Sequence, residues 1–210
     1  MDELIDVRDE SGGLTGDVVW KSEAHRRGLW HRCFHCWTFG ADAGTGEPYL
    51  LVQRRAATKD TWPGYLDVTA AGHLAAGEEA LDGLREVEEE LGLRVDPGRL
   101  VPLGTRRVEQ RISGGFDREI HDVFLLHDDT PPGDLRLQKE EVEAVLRIGL
   151  DGVEALGAAG SASAREYRGG EVSETRVHVS DFVPNTDDYL RRVAVAARAA
   201  LDGGRLKRIF

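Results

Sequence analysis

Cysteine is scarce in this chain, two residues in 210, and methionine occurs once. Two thiols cannot build a disulfide framework, which excludes a stapled secreted scaffold and makes a reducing cytoplasm the expected compartment. Long apolar runs are missing as well: none approaches the ~18 residues that a membrane-crossing helix needs. The opening residues, Met1-Asp2-Glu3-Leu4-Ile5-Asp6, carry neither the basic start nor the apolar stretch of a secretion signal. Positive charge is in deficit, with 27 Lys and Arg against 38 Asp and Glu and a formal net charge of −11. That balance excludes the basic footprint of a general nucleic-acid binder. A phosphorylated ligand would need a local feature that overcomes the overall repulsion.

What is present is an ordinary globular mixture, 40% hydrophobic and 31% charged. The expected organisation is a single domain over residues 1–210, with an N-terminal hairpin extension at about 1–30, a core at about 30–150 and a helical addition at about 151–210. Apolar alternation and β-branched residues predict strands at 16–20, 33–39, 49–53, 100–106, 119–126 and 143–149. Helical periodicity predicts helices at 79–91 and 185–201, with a short helix at 151–157 before a small-residue loop, Gly157 to Ala164. The Asp187-Asp188 pair suits the positive end of the last helix. Its Tyr189, Leu190 and Val193 face needs a partner, either the sheet or a second subunit in a homodimer. Strands interleaved with helices imply an α/β fold, a mixed β-sheet sandwiched between helices, with an extra C-terminal helix.

The most informative stretch runs from Gly72 to Leu93. Between Glu78 and Glu90 lie seven acids and one base, Arg85. Ala80, Leu84, Val87 and Leu91 form a buried stripe at helical spacing. At about 100° per residue, Glu86, Glu89 and Glu90 share an arc away from it, where their charges repel. A hard divalent cation such as Mg²⁺ would neutralise that face and bridge a diphosphate. A solvated acidic face is the alternative.

These residues resemble the Nudix box, Gly-x5-Glu-x7-Arg-Glu-U-x-Glu-Glu-x-Gly-U with U aliphatic: Gly72, Glu78, Arg85-Glu86-Val87, Glu89-Glu90 and Gly92-Leu93. One residue is missing, because six residues rather than seven separate Glu78 from Arg85. Either Glu78 or Glu79 is then available to pair with Arg85. The resemblance implies a Nudix fold, Mg²⁺ (or Mn²⁺) held by Glu86, Glu89 and Glu90, Glu89 as a catalytic group, and structural roles for Gly72, Glu78, Arg85 and Gly92. It also implies hydrolysis of a diphosphate linkage in a small organic or nucleoside diphosphate derivative, with no nucleic-acid or membrane partner.

Beyond the box, Arg54 to Gly64 is similar to a segment of the isopentenyl-diphosphate isomerases, a branch of the same fold. The resemblance implies that Arg55 and Lys59 contact the diphosphate, by a fork and a mobile ammonium. Those isomerases place an acid/base cysteine directly before the Gly-His pair, where this chain has Ala71, and they lack the full set of helix glutamates. Hydrolysis is therefore expected, with isomerase chemistry or a non-catalytic diphosphate-binding module as alternatives. Phe116 to Phe124 is similar to the family strand that carries a further acid to the site. Glu119 matches it as general base or metal ligand, and Asp117 lies on the same strand face by period two. His73 matches a metal-binding histidine of the isomerases. Lys21 to Arg32 holds four cations against one acid, and Trp30 within it can stack on a planar group or simply brace an edge hairpin. Cys33 and Cys36, three apart in a strand, face opposite sides and are expected to be packing residues.

Overall fold

Strand β3 (Trp30–Ala41) is the axis of a large sheet. Apart from Arg32, its twelve residues are β-branched, aromatic or small, and the strand is almost continuously buried, as a central strand covered on both faces requires. The computed structural model describes residues 2–185, 187–204 and 208–210. In chain order, β1 (Leu4–Arg8) and β2 (Leu14–Trp20) form a hairpin that leads through helix α1 (Lys21–Arg27) into β3. There follow β4 (Pro48–Arg55), β5 (Leu66–Asp67), β6 (Ala70–His73), helix α2 (Arg85–Leu91), β7 (Val101–Ile112), β8 (Gly115–His127) and β9 (Val142–Gly149). Helix α3 (Leu150–Ala159), the hairpin β10 (Ser161–Arg168) and β11 (Glu171–His178), and helix α4 (Tyr189–Leu201) complete the chain. The main strand order is β11-β10-β9-β4-β3-β1-β2, with β5, β6, β7 and β8 pairing off that path. The pairing is antiparallel except between β3 and β8. The mixed sheet between helices is thus the expected architecture, and no helix among the described residues is long and apolar enough to cross a membrane.

Two apolar layers hold the helices on. On one face Phe34, Cys36, Ala70 and Leu74 bury the Val87–Leu91 stripe of α2. On the other, Trp37, Leu50, Val52, Leu66, Leu146 and Ile148 meet Val153 and Leu156 of α3 and Tyr189, Val193 and Ala197 of α4. The face of α4 that needed a partner is therefore covered by the sheet and α3.

Three expectations are corrected. The box helix does not begin at residue 79: residues 82–84 form a 3-10 turn, and α-helix starts at Arg85. A 3-10 turn rises ~2.0 Å per residue against ~1.5 Å, so it recovers part of the length lost with the missing residue. Gly83 lets this turn press on the sheet, since a Cβ there would sit 2.4 Å from Phe34 Cβ. The stretch Gly157 to Ala164 is not a loop but the end of α3 and the start of β10. Ala162 and Ala164 are buried and Ser163 is exposed, a period-two pattern too weak in hydrophobicity to stand out; Ala162 Cβ would lie 3.3 Å from a Cβ at Gly152. Finally, α4 starts at Tyr189 rather than 185, because Asp188 takes a left-handed conformation (φ 56°) and Asp187 turns toward Arg106.

Candidate functional site

The box folds around Arg85. Its guanidinium donates to Glu78 Oε1 at 3.0 Å and Oε2 at 3.3 Å and to the His73 carbonyl at 3.1 Å, and it is bound to Glu86. Glu78 is thus the arginine's partner, while Glu79 lies exposed within 3.4 Å of Arg32. Gly92 ends the helix at φ 71°, the left-handed position that glycine takes without strain. Gly72 has a different reason to be glycine: a Cβ there would fall 2.0 Å from Glu86 Oε1. The Glu86 carboxylate therefore lies directly against the backbone of β6.

The three box carboxylates occupy different environments. Glu89 is half-exposed, with Arg85 3.6 Å away. Burial pushes Glu86 up to about 6, against the opposing pull of Arg85. Glu90 is buried, accepts from Ala71 N at 3.1 Å and Gln53 Nε2 at 3.4 Å, and is pushed up to about 8 by burial and then by Glu86. A carboxyl whose folded-state value is raised keeps its proton while the unfolded chain has lost its own. Between the ordinary value near 4.5 and about 8, Glu90 therefore lowers the stability of the metal-free protein as pH rises. Glu90→Gln is expected to raise the thermal midpoint of metal-free protein at pH 8 by several degrees and to change it little at pH 4.5, since one unit is ~1.4 kcal/mol. Calorimetric scans at the two pH values check this.

Glu119 lies elsewhere. By register, β3 sets His31 beside Glu119 of β8 and Cys33 beside both His121 of β8 and His73 of β6. The period of two then aims His31, Cys33, His73, Asp117, Glu119 and His121 to one face of the sheet. Helix α1, ended by Gly28 at φ 64°, brings His25 over the same face. Rings of His25, His31 and His73 form a near-equilateral triangle, with centroids 5.2, 5.2 and 5.4 Å apart. Ligand atoms of these three histidines and of Glu119 all lie within 4.8 Å of one another. A second such group is His35, Glu119 and His121; among the described residues the box glutamates belong to neither.

The triangle leaves several buried polar atoms short of partners. The Nε2 atoms of His25, His31 and His73 and Oδ1 of Asp117 are buried without a hydrogen-bond partner, which a folded protein rarely tolerates. His31 Nδ1 is 2.9 Å from the Leu29 carbonyl, so its proton sits on Nδ1 and its Nε2 lone pair is free. Burial lowers all three imidazoles below their usual range, His73 most strongly. They are neutral donors, the form a metal requires. Burial disfavours the Glu119 charge, yet the hydrogen bond from His121 opposes it and the carboxyl is held well below the carboxylate range. Burial and the charge of Glu119 push Asp117 well up. The Cys33 thiol, raised far above its normal range by burial, donates to Glu119 Oε1 at 3.2 Å, so Cys33 touches this site while Cys36 packs under α2.

The two expected diphosphate contacts already have intramolecular partners. Arg55 donates to Asp67 at 3.0 Å and to the Thr61 carbonyl, bracing the turn that follows. Lys59 is paired with Glu141 and lies near enough to Glu90 to pull its carboxyl down. Trp30 sits between Arg107 and Arg118, at 6.0 and 5.9 Å. Sequence reasoning missed His25 and His31 as site residues. Their available signal was the histidine distribution: five of seven, His25, His31, His35, His73 and His121, meet in this core.

Comparison with known proteins points to one family. A NUDIX domain model matches residues 29–166. An uncharacterised Nudix hydrolase of Clostridium acetobutylicum is 31% identical over 96% of this chain and 98% of its own length. Nudix hydrolase 3 of Arabidopsis thaliana is 37% identical over 69% of this chain and 19% of that protein. An isopentenyl-diphosphate Delta-isomerase of Rhizobium rhizogenes is 35% identical over 60% of this chain and 58% of its own. A crystal structure from Deinococcus radiodurans superposes with a TM-score of 0.58 at 20% identity, over 80% of this chain and 93% of that one, a likeness of fold.

Proposed function

Because this chain belongs to the NUDIX domain family, we propose that it is a divalent-metal-dependent hydrolase cleaving a diphosphate linkage in a small organic or nucleoside diphosphate derivative. The observation that carries this reading is the convergence of unpartnered buried donors from His25, His31, His73 and Asp117 on the ionised Glu119. Three imidazoles and a carboxylate suit a first-row divalent transition-metal ion rather than Mg²⁺, and Mn²⁺ is the ion of that kind that the resemblance offers. Glu86, Glu89 and Glu90, all hard oxygen donors on α2, suit Mg²⁺. Bound divalent ions would polarise phosphate oxygens and offset the charge of the diphosphate.

The chain's own residues divide the remaining work. Glu119, held ionised far below working pH, is a better ligand than base, because an effective base titrates near the operating pH. Glu86, at about 6, is the better proton acceptor for an attacking water. Glu89 faces solvent and the incoming diphosphate. Lys59, whose flexible ammonium can exchange Glu141 for a phosphate oxygen, is the phosphate contact, and Arg55 holds the turn that carries it. The water's proton goes to the carboxylate as the phosphoanhydride P–O bond breaks.

The isomerase reading has two observations in its favour, the place of His73 in the triangle and a thiol beside Glu119. That thiol comes from Cys33 and is fully buried, however, whereas the position next to Gly72 is Ala71. A phosphate-release screen over nucleoside diphosphate derivatives, cofactors and isoprenoid diphosphates, run with Mg²⁺ and Mn²⁺ in parallel, tests the proposal. Metal-dependent release from at least one class is expected. Ligand binding without release from any class would turn the reading to a binding module, and dimethylallyl product from isopentenyl diphosphate would turn it to an isomerase.

A further inference from the structure

Glu119 is held by one oxygen only on the side away from the histidine triangle. Its Oε2 lies 2.6 Å from His121 Nε2. The other nitrogen of that ring, Nδ1, lies 3.2 Å from Arg106 Nη1. A guanidinium has donors and no acceptor. Nδ1 must therefore accept, and the ring proton must sit on Nε2, pointing at Glu119.

Arg106 has little freedom to do otherwise. It is 6% exposed, and Asp187 grips it with both oxygens at 2.7 and 2.8 Å. Asn185 Oδ1 also accepts from it, and its guanidinium lies 4.1 Å over the Tyr189 ring. Tyr189 also fixes the ring next door: its hydroxyl is 3.0 Å from His35 Nδ1, and His35 stacks on His121 with centroids 3.7 Å apart. The segment that enters α4 thus clamps the histidine that holds Glu119 from behind.

We propose that Arg106 is a positioning residue, which locks His121 in the Nε2–H tautomer so that Glu119 Oε2 is engaged and Oε1 is presented to His25, His31 and His73. The C-terminal addition acts on the site through this guanidinium, held by Asn185 and Asp187, and through the contact of Tyr189 with His35 beside it. The same lock removes the Nε2 lone pair of His121 from the second group of close donors, His35, Glu119 and His121, so that group is not a metal site. The effect on metal binding rests on the reading of Glu119 as the metal-facing carboxylate; the tautomer does not.

The test uses the full chain labelled with ¹⁵N-histidine. Long-range ¹H–¹⁵N correlation of metal-free protein is expected to show His121 with its proton on Nε2. Arg106→Met keeps the side-chain length and removes the donor; it is expected to populate the Nδ1–H form and to weaken Mn²⁺ binding, followed by the paramagnetic resonance of the free ion, by about 10–100-fold. In the loaded enzyme kcat falls while KM changes little. Arg106→Lys, which retains a donor, restores most of both, and Asp187→Asn gives a smaller change in the same direction if Arg106→Met folds poorly. A wild-type His121 in the Nδ1–H form, or a tautomer unmoved in Arg106→Met, overturns the lock. An altered tautomer with unaltered Mn²⁺ affinity overturns its link to Glu119. Absence of Mn²⁺ binding by the wild-type protein, with the Nε2–H tautomer in place, instead overturns the metal reading of the triangle and leaves the lock supported.

Discussion

Glu119→Gln is expected to weaken Mn²⁺ binding by about 100-fold or more and to remove turnover, with the fold intact. The reason lies in the charge distribution of the site. The three imidazoles are neutral, and burial and the neighbouring charge favour the protonated form of Asp117. Glu119 therefore supplies the negative charge that faces the triangle. Glutamine preserves shape and the acceptor for His121 Nε2–H, while its amide group takes the place of the oxygen that accepts from the Cys33 thiol. Because the fold holds Glu119 ionised well below the carboxylate range, the metal-free variant is expected to melt somewhat below the parent at neutral pH. Titration with Mn²⁺ and a thermal melt, side by side, separate these effects. Unchanged affinity, or a variant that fails to fold, would remove the assigned role.

Glu89→Gln is expected to lower phosphate release by a factor of about 10²–10⁴, as a donor to the α2 metal is lost, while leaving the thermal midpoint unchanged. Glu89 is half-exposed and its nearest described partner, Arg85, is 3.6 Å away and more tightly bound to Glu78. An exposed pair of that kind contributes ~1 kcal/mol or less, so a large loss of rate cannot come through folding. The contrast with Glu90 is informative, because that carboxyl is buried and hydrogen-bonded to β6. Its substitution perturbs stability with pH as well as activity. Rates for Glu89→Gln measured at saturating Mg²⁺ check the assignment, and a rate equal to that of the parent would sink it.

The parts of the site legible in the sequence were those written in local spacing. The four-three-four stripe placed Val87 and Leu91 against the sheet, and Gly92 marked the helix stop. The arginine–glutamate pairing of the box was visible as a choice between Glu78 and Glu79, which the 3-10 turn decides in favour of Glu78. The β-branched strands were visible because their alternation is hydrophobic; β10 was not, because alanine and serine alternate without contrast. The histidine triangle was illegible for a different reason. His25, His31 and His73 come from a helix, a central strand and a short strand, and they meet only through the register of β3 with β6 and β8. No spacing in one sequence encodes a register between strands ~40 residues apart. The clamp on Arg106 was hidden in the same way, since Asp187, 81 residues away, reads locally as a helix-start residue and its actual partner lies on β7.

The net charge of −11 resolves into local features in the same way. Its densest part, from Glu78 to Glu90, is split by the fold between an internal ion pair, a buried proton-holding carboxyl and an exposed carboxylate. The cationic stretch from Lys21 to Arg32 contributes two neutral histidines to the triangle proposed to hold a metal. Neither function could be assigned from charge alone.

The most direct measurement of the central claim is anomalous scattering from crystals of the full chain grown with Mn²⁺. The expected result is a manganese peak within bonding distance of Nε2 of His25, His31 and His73 and of Oε1 of Glu119. Manganese density confined to the α2 carboxylates, with none at the histidine triangle, would contradict it.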